Sequence, residues 1–471
     1  MRTVLMAVAL ALVAIAALVT DNAALVVGGL ASAVMLWLVM RDYRALILAY
    51  SILPTIPIGI PGTFLTPFII ATPIAIVAAA WHYRGRWRDL TPPKMYLVPM
   101  AAMVLLVIIA EMATPYQALV NPVVNLAGAL VIGTLVNAIL NTDRDLRLIA
   151  LAIVANLLLM AGSAAAEMDW GSMALEQIRV SGLAGEPNVL GMHLGRMMPV
   201  AAAVMFERDF KLWHRAVAAV GSLLGALSLV GSASRTGAVA VVISLTVVTL
   251  AGARSLRGKL VGGGLVVAGF AMLMYFAPAS FQTRVLEPAG LARGATLDIN
   301  KSDVTSGRLD QLPIAFALLE QHPLVGIGTS GFSTENANHY TGMATALHNA
   351  YLSVPVAYGL LAGLVFLIAI GSALVAGFRA ISGSRYPMLT AAIASGALST
   401  AVALTAYPEP YRGWLWLAFI LPHSFLRISK GRKQPPAPTK AAEPVTPPAR
   451  GWAPPLRPGA LPLAKPTELN T

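Results

Sequence analysis

Long apolar runs recur along almost the whole chain, and they constrain the fold more than any other feature. A helix of about 20 apolar residues is long enough to cross the hydrocarbon core of a bilayer. Runs of this kind cover about 3–20, 23–40, 45–60, 66–81, 95–113, 122–140, 148–165, 187–205, 216–233, 236–252, 260–278, 350–377, 389–406 and 413–427. Only 11% of the 471 residues are charged, roughly half of the 25% that is usual in soluble domains. The sequence therefore predicts an all-α polytopic membrane protein and excludes a water-soluble enzyme with one large core.

The third and fourth runs leave the number of spans open. They contain Pro54, Pro57, Pro61, Pro67 and Pro73, and proline in a helix interior breaks or kinks it. We interpret them either as two broken spans or as a re-entrant pair that is buried in protein. The prediction is therefore about 12–14 transmembrane helices, with the same downstream orientation in both cases.

Lysine and arginine are concentrated in every second connection between the runs. The basic connections lie near 41–44, 84–94, 144–147, 208–215, 254–259, 379–385 and 427–433. By the positive-inside rule these connections are cytoplasmic, which places both termini in the cytoplasm as well. The formal net charge of +12 reflects this topology. Since the chain contains no basic soluble module, it predicts contact with membrane lipid and no nucleic-acid partner. With no cysteine, the chain has no disulfide or thiolate site.

One connection is much longer than the others and spans 279–349 on the non-cytoplasmic side. It contains a helical pattern that begins after Arg308, with Pro313 in the first turn and Pro323 at the end. The apolar residues of this pattern lie on one stripe: Leu309, Leu312, Phe316 and Leu319. We expect an amphipathic helix on the outer face of the membrane.

Arginines at the non-cytoplasmic edge oppose the positive-inside rule and point to an anionic ligand. Arg179 lies in one outer connection, and Arg235 lies in a tight turn, 231–237, between two runs. Arginine in hydrocarbon costs a few kcal/mol, about 2.5–3.5 at a helix centre, and its guanidinium binds phosphate oxygens bidentately. The two side chains therefore suit a lipid-linked pyrophosphate. The alternative is that Arg235 reaches the interface and bonds helix-end carbonyls.

His348 lies where the long loop returns to an apolar run. A histidine titrates near neutral pH and can take a proton from a sugar hydroxyl. The alternative is an interfacial imidazole that only hydrogen-bonds the preceding loop. His193 and Arg196 are one turn apart and share a helix face, where they either line a polar cavity toward the substrate or bond between helices.

The sequence offers no metal site. Residues 298–309 begin like a calcium-binding loop, but Asp303 and Leu309 occupy the positions that need glycine and a bidentate glutamate. No Asp-x-Asp pair occurs in an outer connection. We therefore predict neither a metal nor another cofactor.

These segments resemble the O-antigen ligase and O-antigen polymerase superfamily of bacterial inner-membrane glycosyltransferases. The segments that carry the resemblance are Arg-Val-Ser-Gly at 179–182, Glu-Pro-Asn at 186–188, Ser-Ala-Ser-Arg-Thr-Gly at 232–237, Gly307-Arg308, His-Pro-Leu-Val-Gly-Ile-Gly at 322–328 and His-Asn-Ala-Tyr-Leu at 348–352. The resemblance covers roughly 175–377, whereas the first 170 residues match only as generic spans.

The resemblance implies an inverting transferase at the periplasmic face. Its donor would be a glycan on undecaprenyl pyrophosphate, and its acceptor another glycan, a lipid A core or a protein. Arg179 and Arg235 would hold the pyrophosphate, His348 would activate the acceptor hydroxyl, and Arg308 would help to bind the donor. The further residues expected to bind substrate are Asn188, Ser234, Asn349, Arg196 and His193. Ligation and polymerisation would use the same residues.

Four regions follow from this interpretation. Residues 1–174 are N-terminal spans, 175–377 form the O-antigen ligase-like catalytic region with the periplasmic loop, 378–433 are C-terminal spans and 434–471 are a disordered Pro-rich cytoplasmic tail. A transporter or flippase of lipid-linked sugars is the alternative function. Carriers usually place carboxylates near the midplane and show repeated halves, and this sequence shows neither feature.

Overall fold

The computed structural model describes residues 93–114, 120–168, 179–253, 255–277, 281–282, 311–340, 345–407 and 412–431. The predicted spans before residue 93, Arg308 and the predicted disordered tail lie outside the described residues. Within the described ranges the helices are α1 Lys94–Ala113, α2 Val120–Ile139, α3 Asp143–Ala166, α4 Pro187–Phe206, α5 Leu212–Ser232, α6 Arg235–Gly252, α7 Leu256–Phe276, α8 Gln311–Gln321, α9 Gly331–Glu335, α10 Ala350–Tyr358, α11 Leu360–Ile381, α12 Pro387–Ala403 and α13 Gly413–Gly431.

Nine of the described helices are long and apolar enough to cross a membrane, namely α1 to α7, α11 and α12. Nine of the ten runs predicted from residue 95 onward coincide with one helix each, whereas the run 350–377 is divided between α10 and α11. The prediction of an all-α polytopic membrane protein is confirmed. The total of 12–14 spans stays a prediction, because the first four runs lie outside the described residues.

The helix α4 lies in the middle of the bundle and packs against α3, α5, α6 and α12. Small residues allow this close packing. A Cβ atom added at Gly195 would lie 2.3 Å from Ser399 Oγ, and one added at Gly191 would lie 2.9 Å from Gly237 Cα. The residues that precede and begin α4 are thereby held against the neighbouring helix ends.

Side-chain contacts identify the two ends of the bundle. At one end, Arg385 lies 3.8 Å from Asp143 and 3.4 Å from Asp209, which joins three helix connections. These connections are among the basic ones of the sequence, so we call this the basic end. At the opposite end, Arg179 bonds to Ser232 where α5 finishes. We call this the site end, because the predicted catalytic residues Arg179, Arg235 and His348 all lie in its connections.

The predicted single span over 350–377 is wrong in one respect, because the helix is broken. Gly359 has φ +86° and separates α10 from α11. A Cβ atom at this position would lie 2.0 Å from the carbonyl oxygen of Leu324, so only glycine fits both the backbone angle and the space. The 22 residues of α11 are sufficient to span a bilayer, since about 20 are needed. The nine-residue α10 is a separate short helix at the site end.

The long loop contributes its own small core beside α10. Its buried residues come from α8, the following turn, α9, the segment before α10 and α10 itself: Ala315, Leu318, Ile327, Phe332, Leu347 and Val356. The predicted loop helix is observed as α8, and it ends before Pro323 as expected. Ala315 and Leu318 face the small core, while Phe316 of the predicted stripe is 51% exposed and Leu319 is partly buried against that core. Contact of the stripe with the membrane stays a prediction.

Candidate functional site

The segment that carries Arg179 is fastened to two helix ends by backbone hydrogen bonds. The carboxylate of Glu167, at the end of α3, accepts from the backbone N–H groups of Ser181 at 3.2 Å and Gly182 at 2.9 Å. The N–H of Val180 donates to the Gly231 carbonyl at 3.0 Å. These bonds fix the position of the Arg179 segment relative to the ends of α3 and α5.

Arg179 is bound by two oxygens from different parts of the chain. Its Nε donates to the Ser232 carbonyl at 2.8 Å, and its Nη2 donates to Asn188 Oδ1 at 2.9 Å. Both acceptors are neutral, so these two bonds orient the guanidinium without neutralising its charge. The positive charge is an essential property for a group that binds phosphate.

Asn188 connects Arg179 to the beginning of α6. Its Oδ1 also accepts from Ser234 Oγ at 3.4 Å, and its Nδ2 donates to Glu186 Oε1 at 3.2 Å. Ser234 is the N-cap of α6, where its Oγ accepts from the Gly237 N–H at 3.1 Å. Because Ser234 is fully buried, its role in this structure is to cap the helix and hold Asn188. We call Arg179, Asn188, Ser234 and Arg235 the arginine cluster.

Arg235 is the first residue of α6, and the connection before it is shorter than predicted. The helix α5 continues to Ser232, leaving Ala233 and Ser234 between the two helices. Ala233 has φ +45°, in the left-handed region that suits glycine better than alanine. A cation at a helix N-terminus is disfavoured by the helix dipole, by about 0.3–1 kcal/mol. Helix stability alone therefore does not account for arginine at this position.

His348 is held in one orientation by the loop that precedes α10. Its Nδ1 lies 2.8 Å from the Ala346 carbonyl oxygen, and its backbone N–H donates to Gln311 Oε1 at 3.3 Å. A carbonyl oxygen can only accept, so Nδ1 carries the proton and donates it. In the neutral imidazole, Nε2 then has the lone pair. The lone pair of Nε2 can then accept a proton, as a general base does.

The side chains around His348 brace its loop on both sides. Gln311 Nε2 donates to the Ala346 carbonyl at 3.1 Å and to Thr345 Oγ1 at 3.4 Å. The buried Asn336 donates to the same Thr345 oxygen at 2.7 Å. Asn349 is the N-cap of α10, where its Oδ1 accepts from the Tyr351 N–H. We call His348, Asn349, Gln311 and Thr345 the histidine cluster.

The helix α12 lies between the arginine cluster and the histidine cluster. The hydroxyl of Tyr351 in α10 donates to the Ala401 carbonyl near the end of α12, at 2.7 Å. The helix α12 in turn packs along both α4 and α6. The two clusters are therefore built on different helices of the site end that share one neighbour.

The comparison with protein families agrees with this geometry. Residues 220–367 match the O-antigen ligase family model. The match confirms the resemblance to the O-antigen ligase superfamily that the sequence segments indicated. A comparison with curated proteins gives no match.

The O-antigen ligase match covers one cluster fully and the other in part. It includes Arg235, His348 and Asn349, whereas Arg179 and Asn188 precede it. The match supports glycan transfer of the O-antigen ligase or polymerase type, with glycan and lipid-linked substrates in general. Together with the nine candidate spans among the described helices, it indicates a multi-pass membrane enzyme.

His193 and Arg196 lie deeper in the bundle than the arginine and histidine clusters. Arg196 is eight positions after Asn188 on α4, which is about 12 Å along the helix axis. It lines a pocket with Asn156 and mainly apolar residues from α2, α3, α12 and α13. His193 is fully buried. The structure therefore does not bring these two residues to the site end, where the sequence reasoning expected them to face substrate.

The sequence did not predict several residues that support the two clusters. Glu167 holds the Arg179 segment, while Gln311, Asn336 and Thr345 hold the His348 loop. Their partners lie between 9 and 35 positions away in the chain. No local pattern marks such pairs, because they depend on how the loop folds over α10.

Proposed function

We propose that this protein transfers a glycan from an undecaprenyl-pyrophosphate carrier to an acceptor hydroxyl at the periplasmic face of the bacterial inner membrane. In the reaction, the bond between the anomeric carbon and the pyrophosphate oxygen breaks. A new bond forms between that carbon and the acceptor oxygen, and the hydroxyl proton passes to His348. The leaving group is undecaprenyl pyrophosphate, and the single displacement inverts the anomeric centre.

The observation that carries the proposal is the orientation of His348. The Nδ1–H···O bond to Ala346 leaves Nε2 as the basic nitrogen, which is the nitrogen that would take the acceptor proton. Gln311 fixes the His348 backbone and the Ala346 carbonyl holds the imidazole, so the base is oriented before substrate arrives. Such preorganisation reduces the reorganisation needed to reach the transition state.

The arginine cluster supports the assignment of a pyrophosphate leaving group. Negative charge develops on the pyrophosphate oxygens as the glycosidic bond breaks, and guanidinium groups stabilise it bidentately. Arg179 is oriented by its bonds to the Ser232 carbonyl and to Asn188, and Arg235 lies on α6 next to the Ser234 that bonds to Asn188. We assign both arginines to the pyrophosphate, and we assign Arg308 and Asn188 to the donor. No metal is required, because the arginines supply the positive charge.

The charge difference between the two ends of the bundle supports the orientation. Connections rich in lysine and arginine face the cytoplasm in most membrane proteins. The contacts of Arg385 with Asp143 and Asp209 join three such connections at the basic end. The site end would then face the periplasm, where lipid-linked glycans are transferred. We assign the catalytic region to 175–377, which contains the matched segment 220–367.

The proposal is tested with purified protein in nanodiscs, a labelled undecaprenyl-pyrophosphate-linked repeat unit as donor, and two acceptor classes. Transfer to a lipid A core identifies a ligase, and transfer to a second lipid-linked unit identifies a polymerase. Both reactions should continue in EDTA. A carrier would move the labelled donor across the bilayer without forming a new glycosidic bond, and that result would refute the proposal.

A further inference from the structure

A buried carboxylate joins the end of α1 to the long loop. Glu111 is 0% exposed, and its Oε1 accepts from the backbone N–H of Thr329 at 2.7 Å and from the Thr329 hydroxyl. The Thr329 Oγ1 lies 2.7 Å from the Tyr358 hydroxyl, the last residue of α10. The three side chains form one hydrogen-bonded chain from α1 through the loop to α10.

The turn before Thr329 completes the broken end of α10. The N–H groups of Ile327 and Gly328 donate to the carbonyls of Val356 and Ala357, at 3.0 and 2.8 Å. These carbonyls belong to the last turn of α10, where no N–H group of the helix donates to them. Gly326 has φ +75°, and a Cβ atom there would lie 2.4 Å from the Ala357 carbonyl carbon, so the turn is seated directly on the helix end.

The same short helix carries His348 at its other end. With nine residues, α10 is about 13 Å long. A tilt of α10 at Tyr358 would displace its N-cap Asn349 and the adjacent His348. The long loop contacts both ends of α10. Gln311 accepts from the His348 backbone N–H before the helix, and the 326–329 turn donates to the carbonyls at the C-terminal end of the helix.

Stability alone does not favour a carboxylate at this position. Burying a charge costs several kcal/mol before its partners offset the loss, and a well-packed neutral side chain is often as stable or more so. Hydrogen bonds to an ionised acceptor are, however, shorter and roughly twice as strong as neutral ones. The charge at Glu111 therefore fixes the Thr329 turn more firmly than an amide would.

We propose that Glu111 is a positioning residue for glycan transfer, acting through Thr329 and α10 to hold the His348 imidazole in its reactive place. This inference rests on the proposed function. It assigns a role to a side chain on α1, outside the matched segment 220–367. Glu111 does not need to touch the substrate.

The test compares kcat and the donor KM of Glu111→Gln, Thr329→Val, Thr329→Ser and Tyr358→Phe in nanodiscs. We expect kcat to fall about 10-fold in Glu111→Gln and Thr329→Val, the usual cost of one charge-assisted hydrogen bond, with KM unchanged. Thr329→Ser keeps the hydroxyl and should retain wild-type kcat. Thr246→Val is the matched control, because its hydroxyl bonds only within α6, to the Val242 carbonyl. Thermal unfolding in detergent measures the folded fraction of every variant.

A second measurement separates positioning from general destabilisation. In a His348→Asn background, Glu111→Gln should cause no additional loss of the residual rate, since there is no base left to position. Additive losses, or a kcat that falls only with the folded fraction, would overturn the inference. If His348→Asn is fully active, the proposed function itself fails. If His348→Asn is inactive while Glu111→Gln and Thr329→Val have normal kcat, only the role of Glu111 is lost.

Discussion

The arginine cluster and the histidine cluster lie at the same end of the bundle but are built in opposite ways. The arginine cluster is held against the ends of continuous helices, α4, α5 and α6, that belong to the large core. Its bonds connect Arg179 to Ser232 and Asn188 to Ser234 across the α4–α6 contact. The histidine cluster sits on a loop and on a nine-residue helix whose packing forms a separate small core.

This difference assigns separate tasks to the two clusters. Elements with a small core of their own open at a lower free energy than elements of the main core. In the proposed function, the fixed cationic cluster binds the pyrophosphate of the donor. The histidine cluster, held by its loop, places the base for the acceptor hydroxyl. Changes in the arginine cluster should therefore alter donor binding, and changes in the histidine cluster should alter kcat.

The largest expected effect is the loss of the base. His348→Ala should lower kcat by about 10²–10⁴-fold, the usual contribution of general base catalysis, while the donor KM stays within about twofold. Added imidazole should restore part of the rate, since it can enter the space that the ring leaves. The measurement is initial rate against donor concentration with purified protein. A normal kcat in His348→Ala would remove the distinction between the two clusters.

The arginines should give a smaller effect that appears mainly in binding. Arg235→Gln and Arg179→Gln should each raise the donor KM about 10–100-fold, because hydrogen bonds to charged groups contribute about 1.5–3 kcal/mol. Arg235→Lys should recover part of the affinity, since lysine keeps the charge but not the bidentate geometry. Binding of undecaprenyl pyrophosphate itself gives the direct measurement. Unchanged affinity in both Gln variants would show that these arginines do not bind the carrier.

The membrane-spanning architecture could be predicted from the sequence because it depends on local composition. A run of about 20 apolar residues has few alternatives in a membrane, and the predicted runs from residue 95 onward are helical, one of them in two pieces. The break at Gly359 was missed because the run 350–377 is apolar throughout. The break depends on a distant partner, the Leu324 carbonyl, against which only glycine fits.

The candidate site could be predicted only as a set of residue types. Arg179 and Arg235 stood out because arginine at the outer membrane edge is costly, and His348 stood out because it lies where the long loop returns to an apolar run. Gln311 and Asn336 did not stand out, because they are ordinary polar residues in the sequence. Glu111 bonds to Thr329 across 218 positions, and only the folded chain brings them together. Substrate binding by Ser234 and Asn349 stays a prediction; in the structure their side-chain oxygens cap α6 and α10.

A glycine substitution tests whether the arginine cluster depends on close helix packing. In Gly191→Ala the added methyl carbon would lie 2.7 Å from Ser234 Oγ and 2.9 Å from Gly237 Cα. The helices α4 and α6 must then separate, at a cost of about 1–3 kcal/mol, and the donor KM should rise several-fold with little change in kcat. Gly263→Ala on α7 is the control, because no atom lies within 4 Å of its added Cβ. An equal response of both variants would contradict the packing argument.

The smallest expected effect concerns the left-handed residue between α5 and α6. Ala233 has φ +45°, a conformation that costs an L-residue about 1–2 kcal/mol and glycine almost nothing. Ala233→Gly should therefore raise thermal stability slightly, by up to about 1 kcal/mol once the greater freedom of unfolded glycine is subtracted. The matched change Ala226→Gly, within α5, should lower stability by about 1 kcal/mol. If Ala233→Gly also leaves kcat and donor KM unchanged, the strain belongs to the turn alone. If it raises the donor KM, the restricted backbone of Ala233 contributes to holding Ser234 and Arg235 in place. Donor binding by the arginine cluster would then depend on its backbone conformation, as the position of His348 depends on α10.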